Sequence, residues 1–338
     1  MSGISQFAAY LFASGDAFFI GAGLIVLGRA ATRRFRQHPR AKWLRLLTVL
    51  GILFFSFSMV PIPCWLIAFV TIPSMLGLNA PFKVDHETRR FRIIRRAQPL
   101  VEFLLLVAVT FELIERQRLH VQPLERLPVE VHFIGDSLNA GIANEHDRLW
   151  PNLVASEWSI PIHNHAQPGA TTGSAIRQAD AVACEDCVVL IEIGGNDFFE
   201  GRPMRQIEAD WDRLLSLLTR PHRKLIMFEL PLPPIPRAYD LARLQRRLAD
   251  RHSVKMIPRR DFAKCLLSPG ATSDGLHLTL IGHRALATLV LNTLSPRGRR
   301  WPPTTESTTS NDFVVSERTC ASFRSGLPDF PRLAIIRP

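Results

Sequence analysis

The chain reads as an α/β protein, a parallel sheet flanked by helices, preceded by an all-α transmembrane region. Three observations predict this. From about 129 to 295, short strongly apolar runs alternate with longer amphipathic stretches, the pattern of strand–helix units around a parallel sheet. The first 120 residues instead hold long apolar runs separated by arginine clusters. Those clusters flank the apolar runs and supply much of the net charge of +11, which is the arrangement membrane topology produces. A basic chain also raises nucleic acid as a partner, but no basic stripe with interleaved aromatics and no recognition motif is present, so nucleic acid is not expected.

The apolar segments are 7–28, 44–60, 64–78 and 98–114. The first and last approach the ~20 residues a helix needs to cross a bilayer. None reads as a cleaved signal peptide, because no Lys or Arg precedes Phe7. Pro61-Ile62-Pro63 divides 44–78 into two short helices, since proline ends a helix and restricts the residue before it. The loop after the first segment carries Arg29, Arg33, Arg34, Arg36, Arg40, Lys42 and Arg45. The loop before the last carries Lys83, Arg89, Arg90, Arg92, Arg95 and Arg96. Both should face the cytoplasm, which demands an even number of crossings between them. A transmembrane hairpin with Pro61-Ile62-Pro63 at its outer tip meets that demand, and so does a re-entrant hairpin. Either way the residues after about 115 are expected outside. This predicts an integral protein of the plasma (inner) membrane with its later domain on the periplasmic or extracellular face. Asp16 falls inside the first segment, where a charge is costly, and is expected to be paired within the bundle. Ala13, Ala17 and Gly21 recur every fourth residue and suit close helix packing.

Residues 121–128, with Pro123 and Pro128, read as a linker into a domain at 129–295. Its expected strands are 129–134, 160–164, 188–193, 225–230 and 253–257, and its expected helices 147–158, 204–219, 237–251 and 279–294. From 296 to 338 the chain is aperiodic and Ser/Thr-rich, and a disordered tail is expected. Cys64 would sit at the hairpin tip and Cys320 in the tail. Cys184 and Cys187 form a C-x-x-C, with Cys265 elsewhere in the domain. A second pair that would complete a zinc site is absent, and the motif precedes a strand instead of opening a helix. A structural disulfide among these three, free thiols, and metal or redox work all stay open.

In parallel sheets, sites assemble beyond the carboxyl ends of the strands. Ser137 follows the first expected strand, Gly169 the second and Asn196 the third, so the three should meet at one edge. A serine just past a buried strand, with Asp274 and His277 three residues apart late in the same domain, is the parts list for an oriented nucleophile. Four blocks stand in order: Gly135-Asp136-Ser137, Gly169, Gly194-Gly195-Asn196-Asp197 and Asp274-Gly275-Leu276-His277. Together they resemble the SGNH (GDSL-type) hydrolase family over 129–295, about half the chain.

The resemblance implies acyl transfer through Ser137, with His277 as base and Asp274 orienting the imidazole. It implies an oxyanion hole from the backbone N–H groups of Ser137 and Gly169 and the side-chain amide of Asn196. No cofactor and no metal are expected. Asp136 and Asp197 read as hydrogen-bonding turn residues, and His163, His165 and His283 as surface or packing residues. No G-x-S-x-G elbow exists, which disfavours the α/β-hydrolase fold. The function expected is a membrane-anchored serine esterase that removes acyl groups, acetyl among them, from an envelope polysaccharide or glycolipid. Its partners would be the membrane and that acylated carbohydrate or lipid. An O-acyltransferase with the same triad and a membrane-supplied donor is the alternative. A non-catalytic binding module is a second, opposed by the intact Ser137, Asp274 and His277. Specificity is expected in the loops around 138–147, 169–178 and 198–206.

Overall fold

The computed structural model describes residues 3–35, 41–78, 89–141 and 148–296. Five helices come first: α1 (Gly3–Ala13), α2 (Asp16–Arg34), α3 (Ala41–Phe57), α4 (Cys64–Leu78) and α5 (Arg89–Leu119). The sheet region follows as β1 (Val131–Gly135), α6 (Ser137–Ala140), α7 (Trp150–Trp158), β2 (Ile162–Asn164), α8 (Thr172–Asp180), β3 (Val188–Glu192), α9 (Gly195–Phe199) and α10 (Met204–Leu218). It ends with β4 (Lys224–Phe228), α11 (Pro236–Arg251), β5 (Lys255–Ile257), α12 (Arg259–Leu266) and α13 (Leu280–Leu294).

All five expected strands are present, and they form one parallel sheet in the order β2-β1-β3-β4-β5. β1 and β3 are buried along their whole length, because helices cover both faces. The four expected helices correspond to α7, α10, α11 and α13. The helices α8 and α12 were not anticipated. α8 is polar in sequence and is held by a capping box, in which Thr171 and Ser174 satisfy each other's backbone N–H groups. The expected tail from 297 onward, Cys320, residues 142–147 of the first specificity loop, and Arg36, Arg40 and Lys83 of the basic loops lie outside the described residues.

The N-terminal region departs from the expected set of transmembrane helices. Among the described residues no single helix is long and apolar enough to cross a membrane. α3 and α4 have 17 and 15 residues, roughly 26 and 23 Å at 1.5 Å per residue against a ~30 Å hydrocarbon core. Segment 7–28 is not one helix. It breaks at Ser14-Gly15, and α1 and α2, which pass the length and composition test only together, are bent by 87°. Gly15 takes a left-handed φ of 83° that ends α1. The Asp16 backbone N–H then donates to Ser14 Oγ, so Asp16 opens α2 with its carboxylate at the positive end of the helix.

α2 and α3 pack with backbones in contact. A Cβ on Gly21 would lie 2.4 Å from the Phe55 nitrogen, and one on Gly51 would lie 2.7 Å from that of Ile25. Gly21 therefore serves the close approach its spacing suggests, whereas Ala13 lies before the bend.

This helical region is docked on the sheet domain, not merely joined to it. Met59, in the turn between α3 and α4, is fully buried and belongs to the core of the sheet domain. Tyr239 donates to the Ser56 carbonyl (3.2 Å), Arg243 to that of Ile62 (3.3 Å), and Arg259 to that of Met59. Deeper in, Arg246 binds Glu112 of α5 through both terminal nitrogens (2.7 and 3.0 Å) and Glu229 through Nε (2.7 Å). Burial pushes the Glu229 carboxyl up, but Arg246 and Arg259 outweigh it and hold the group well below the usual carboxylate range. Asp16 is paired on both sides of the same junction: within the helical region with Tyr10 at 3.3 Å and Arg116 at 3.9 Å, and across it with Arg260 of α12 at 3.3 Å. The segment read as a linker is also seated. Val121 donates to the Met256 carbonyl and Leu124 to that of Leu294, both at 3.0 Å, and both side chains are buried.

Candidate active site

The nucleophile turn is built from β1. At Gly135 a Cβ would stand 2.3 Å from Asn139 Nδ2 and 2.7 Å from the Glu192 carbonyl oxygen, so only glycine lets the strand end there. The Gln178 side chain from α8 grips that residue from both sides, accepting from its N–H (2.9 Å) and donating to its carbonyl (3.0 Å). Asp136 then caps α6, its Oδ1 accepting from the Leu138 N–H at 3.0 Å. Trp150 Nε1 donates to the Leu138 carbonyl (3.0 Å), and Asn164 Nδ2 to that of Asn139 (2.9 Å). Ser137, the first residue of α6, is half-buried at the centre of this framework.

A cavity of about 160 Å³ opens over that turn, and Ser137, Asn196 and His277 all line it. His277 Nδ1 lies 2.5 Å from Asp274 Oδ2, while Asp274 Oδ1 accepts from the N–H groups of Leu276 (2.9 Å) and His277 (2.8 Å). Those backbone bonds, together with the imidazole, hold the Asp274 carboxyl well below its ordinary range. The turn is open to water, with the Asp274 side chain 53% and the His277 side chain 34% exposed.

Asn196 Nδ2 donates to Asp136 Oδ2 (3.1 Å) and to the Ala170 carbonyl (2.8 Å), so both amide hydrogens are engaged. Gly169 takes a φ of 71° in an exposed turn and is not among the residues lining the cavity. The sequence-chosen residues therefore divide. Ser137, Asn196, Asp274 and His277 come together, and Gly169 stands at the margin.

Asp136 and Asp197 are hydrogen-bonding turn residues, as their positions suggested. Asp197 is fully buried and accepts from Thr172 N (2.8 Å), Thr172 Oγ1 (2.7 Å) and Arg202, which ties the loop after Gly169 to the Asn196 block. His283 is a packing residue, buried, with its Nδ1 accepting from the Trp150 N–H at 3.4 Å.

Sequence reading missed three parts of the site. Gln178 and Gln245 are amides on amphipathic helices. Gln245 repeats the Gln178 device at the end of β4, accepting from Leu230 N (3.1 Å) and donating to the Phe228 carbonyl (2.7 Å). Glu192, at the end of β3, is the third. It is buried beside Asp136 and lines the cavity, and burial, followed by the Asp136 charge, raises its carboxyl well above the ordinary range. Its signal in the sequence was a lone acid inside an apolar strand.

Beyond these polar groups the cavity wall is apolar, formed by Phe199, Leu230, Leu232, Phe262, Leu266 and Leu276 among others. A half-buried serine hydroxyl, an oriented imidazole and an apolar wall together suit attack on an acyl ester.

Residues 133–285 match the family described as GDSL-like Lipase/Acylhydrolase. Over that stretch, a little under half of the chain, the protein resembles GDSL-type ester hydrolases. The chain is similar to an arylesterase of Vibrio mimicus, 27% identical over 108 residues, 30% of this chain. That match spans about half of the relative's own length, 54%. It is also similar to thioesterase 1/protease 1/lysophospholipase L1 of Escherichia coli (strain K12), 25% identical over 182 residues, 52% of this chain and 82% of that one. Among solved structures, the psychrotrophic esterase EstA from Pseudoalteromonas sp. is 19% identical, covering 49% of this chain and 96% of its own at a TM-score of 0.44. The matched stretch covers the cavity and nearly all of the sheet, and α1–α5 lie outside it.

The cysteines of the domain resolve into one disulfide and one thiol. Cys184 and Cys187 are joined, and Cys265 is buried with its thiol against the Ala285 carbonyl (3.5 Å), pushed up to about 12 by burial.

Proposed function

We propose that the protein is a membrane-anchored serine esterase that removes acyl groups from an envelope polysaccharide or glycolipid. The observation that carries this reading is the meeting of Ser137, Asn196 and the Asp274–His277 pair in one apolar-walled cavity. Ser137 Oγ attacks the ester carbonyl carbon while His277 takes the hydroxyl proton, and Asp274 holds the imidazolium that forms. Negative charge moves to the carbonyl oxygen. The backbone N–H of Ser137 receives it, joined by the Asn196 amide once its longer bond, to Asp136, is released. Collapse expels the alcohol, which takes the proton from His277. Water then enters by the same route, returning the carboxylic acid and the free serine.

The anchoring half of the proposal draws on α2–α5, which carry exposed Leu27, Trp43, Phe69, Phe103 and Leu106, more apolar surface than a water-facing bundle tolerates. With both basic loops cytoplasmic, the tip at Pro61-Ile62-Pro63 and the catalytic domain share the outer side, which agrees with their contact through Tyr239, Arg243 and Arg259. That contact also favours a second reading, an O-acyltransferase. α12 lies between the tip and the cavity, bonding Met59 through Arg259 and lining the cavity with Phe262 and Leu266.

The test uses full-length protein in lipid vesicles with a labelled acetyl ester and a glycan acceptor. Free acetate that disappears in the Ser137→Ala variant supports the esterase. Acetylated glycan in its place sinks it in favour of the transferase, and an unchanged rate in Ser137→Ala removes the nucleophile assignment.

A further inference from the structure

At the opposite end of β1 from Ser137, four polar side chains share one face of the sheet. Residues two apart on a strand point the same way, which pairs Glu130 with His132 and His163 with His165. The parallel register sets His132 opposite His163. The result is a stack of imidazoles, with His132 4.6 Å from His163 and 5.2 Å from His165 between ring centroids.

His132 is only 4% exposed, and its Nε2 is buried without a hydrogen-bond partner. Its Nδ1 lies 2.9 Å from His165 Nε2, so a proton on Nδ1 donates to His165 and leaves the Nε2 lone pair free. That lone pair faces the Glu130 carboxylate, with Oε2 3.6 Å away, and the same oxygen is 3.1 Å from His163 Nε2. Two ring nitrogens and a carboxylate oxygen thus converge within 4.8 Å of one another. Ligands at the ~2.0–2.1 Å bond lengths of tetrahedral zinc stand about 3.3–3.4 Å apart, so the two measured edges already bracket that spacing. The half-exposed His163 ring has room to close the third. In that tautomer an acceptor faces an anion, and a cation between them satisfies both.

We propose that Glu130, His132 and His163 form a binding site for a zinc-like divalent transition-metal ion. His165 acts from outside it, taking the Nδ1 proton of His132 and fixing the tautomer a metal ligand requires. Burial, then the neighbouring His163, lowers the His132 pKa to about 4, which keeps it neutral and ready to ligate. Arg223 is the nearby opposing charge, and Glu130 offsets it. The Cys184 and Cys187 sulfurs also lie within 4.8 Å of the His132 ligand nitrogen, but they are bonded to each other and are not counted as ligands. His132 is five residues before Ser137, roughly 16 Å at about 3.3 Å per residue, so the ion takes no part in ester chemistry. Its work is to pin β2, a three-residue edge strand, to β1.

Full-length protein in detergent, free of any polyhistidine tag and stripped with chelator, is titrated with zinc chloride under non-reducing conditions. One zinc per chain and a rise in Tm of several degrees are expected. His163→Ala and Glu130→Gln, both at partly exposed positions, should keep the zinc-free Tm and lose the zinc-induced rise. His165→Ala should weaken affinity roughly 10–100-fold. No zinc-induced rise in the parent, or an equal rise in the His163 and Glu130 variants, overturns the site. So does binding that appears only after the Cys184–Cys187 bond is reduced, because thiolates would then be holding the ion.

Discussion

In the sheet domain Phe133, Trp150, Trp211, Phe228 and Phe262 are wholly buried, whereas on α2–α5 Leu27, Trp43, Phe69, Phe103 and Leu106 are each more than half exposed. The two regions point their large apolar groups in opposite directions. One satisfies water on its outside. The other carries them on its outside and keeps its interior for close backbone contact at Gly21 and Gly51. Where they meet, neither rule holds, and the junction is made by charged groups: Glu112, Arg246, Glu229 and Arg259 inside, Asp16 and Arg260 nearer the surface. A buried ion network contributes little net stability when intact and costs much when broken, so it specifies how the regions dock.

The largest expected effect isolates chemistry in the domain. Ser137→Ala should lower turnover of a short-chain aryl ester on the order of 10⁵–10⁶-fold, with no change in Tm or in the membrane-bound fraction. Residual activity near the parent's would place the nucleophile elsewhere. Next, Glu112→Ala leaves the Arg246 guanidinium buried without its α5 partner and should cost about 3–5 kcal/mol, read as thermal unfolding in detergent. An unchanged Tm would mean that the regions are only tethered. Asn196→Ala should lower kcat about 10²–10³-fold with little change in KM. An effect confined to KM would remove the oxyanion role.

The apolar exterior of α3 gives a smaller test. Leu53→Lys should oppose membrane insertion by about 2.5–3.5 kcal/mol and lower the membrane-bound fraction. Better solubility with an unchanged fold would show that this face meets water.

The smallest effect depends on pH. The folded-state pKa of Glu192 is raised by burial beside Asp136, so the native state keeps a proton that an unfolded glutamate, with a pKa of about 4.3, has already released. The stability this contributes is full below that value and is lost as pH rises toward the folded pKa. Glu192→Gln keeps a hydrogen-bond donor and cannot titrate. Its Tm should gain on the parent's steadily from about pH 4.5 upward, and parallel curves would show that Glu192 does not hold the proton.

The strands were legible because apolar runs such as Val188–Ile193 fit little else, and the residues that meet at the cavity because their blocks stand in a fixed order, those of Ser137 and Asn196 just past strand ends. The junction was not. Arg246 sits in an arginine-rich stretch that reads as a solvated helix face, and what distinguishes it is the pair Glu229 and Glu112, the latter 134 residues away. Gly15 was hidden in the same way. One glycine in an apolar run costs a helix only about 1 kcal/mol, and the short turn signal Ser14-Gly15-Asp16 was outweighed by the apolar run around it, so the 87° bend was missed. The partner that gives Asp16 its place, Arg260, belongs to another domain. Gln178 and Gln245 look like ordinary polar helix positions until the strand ends they clamp are known. Properties carried by a run of neighbours could be read from the sequence, and those carried by two distant residues could not.

Met59 has a consequence for the order of assembly. Its carbonyl accepts from Arg259, 200 residues later in the chain, and its side chain completes the core of the sheet domain. The ribosome makes the turn long before it makes the sheet, so the turn is waiting when the last strands emerge. A domain released without it would have to close around a vacant position, with the buried Arg259 keeping Glu229 but losing the Met59 carbonyl. The helical region is therefore also a template, and a sheet domain made without it should fold less readily.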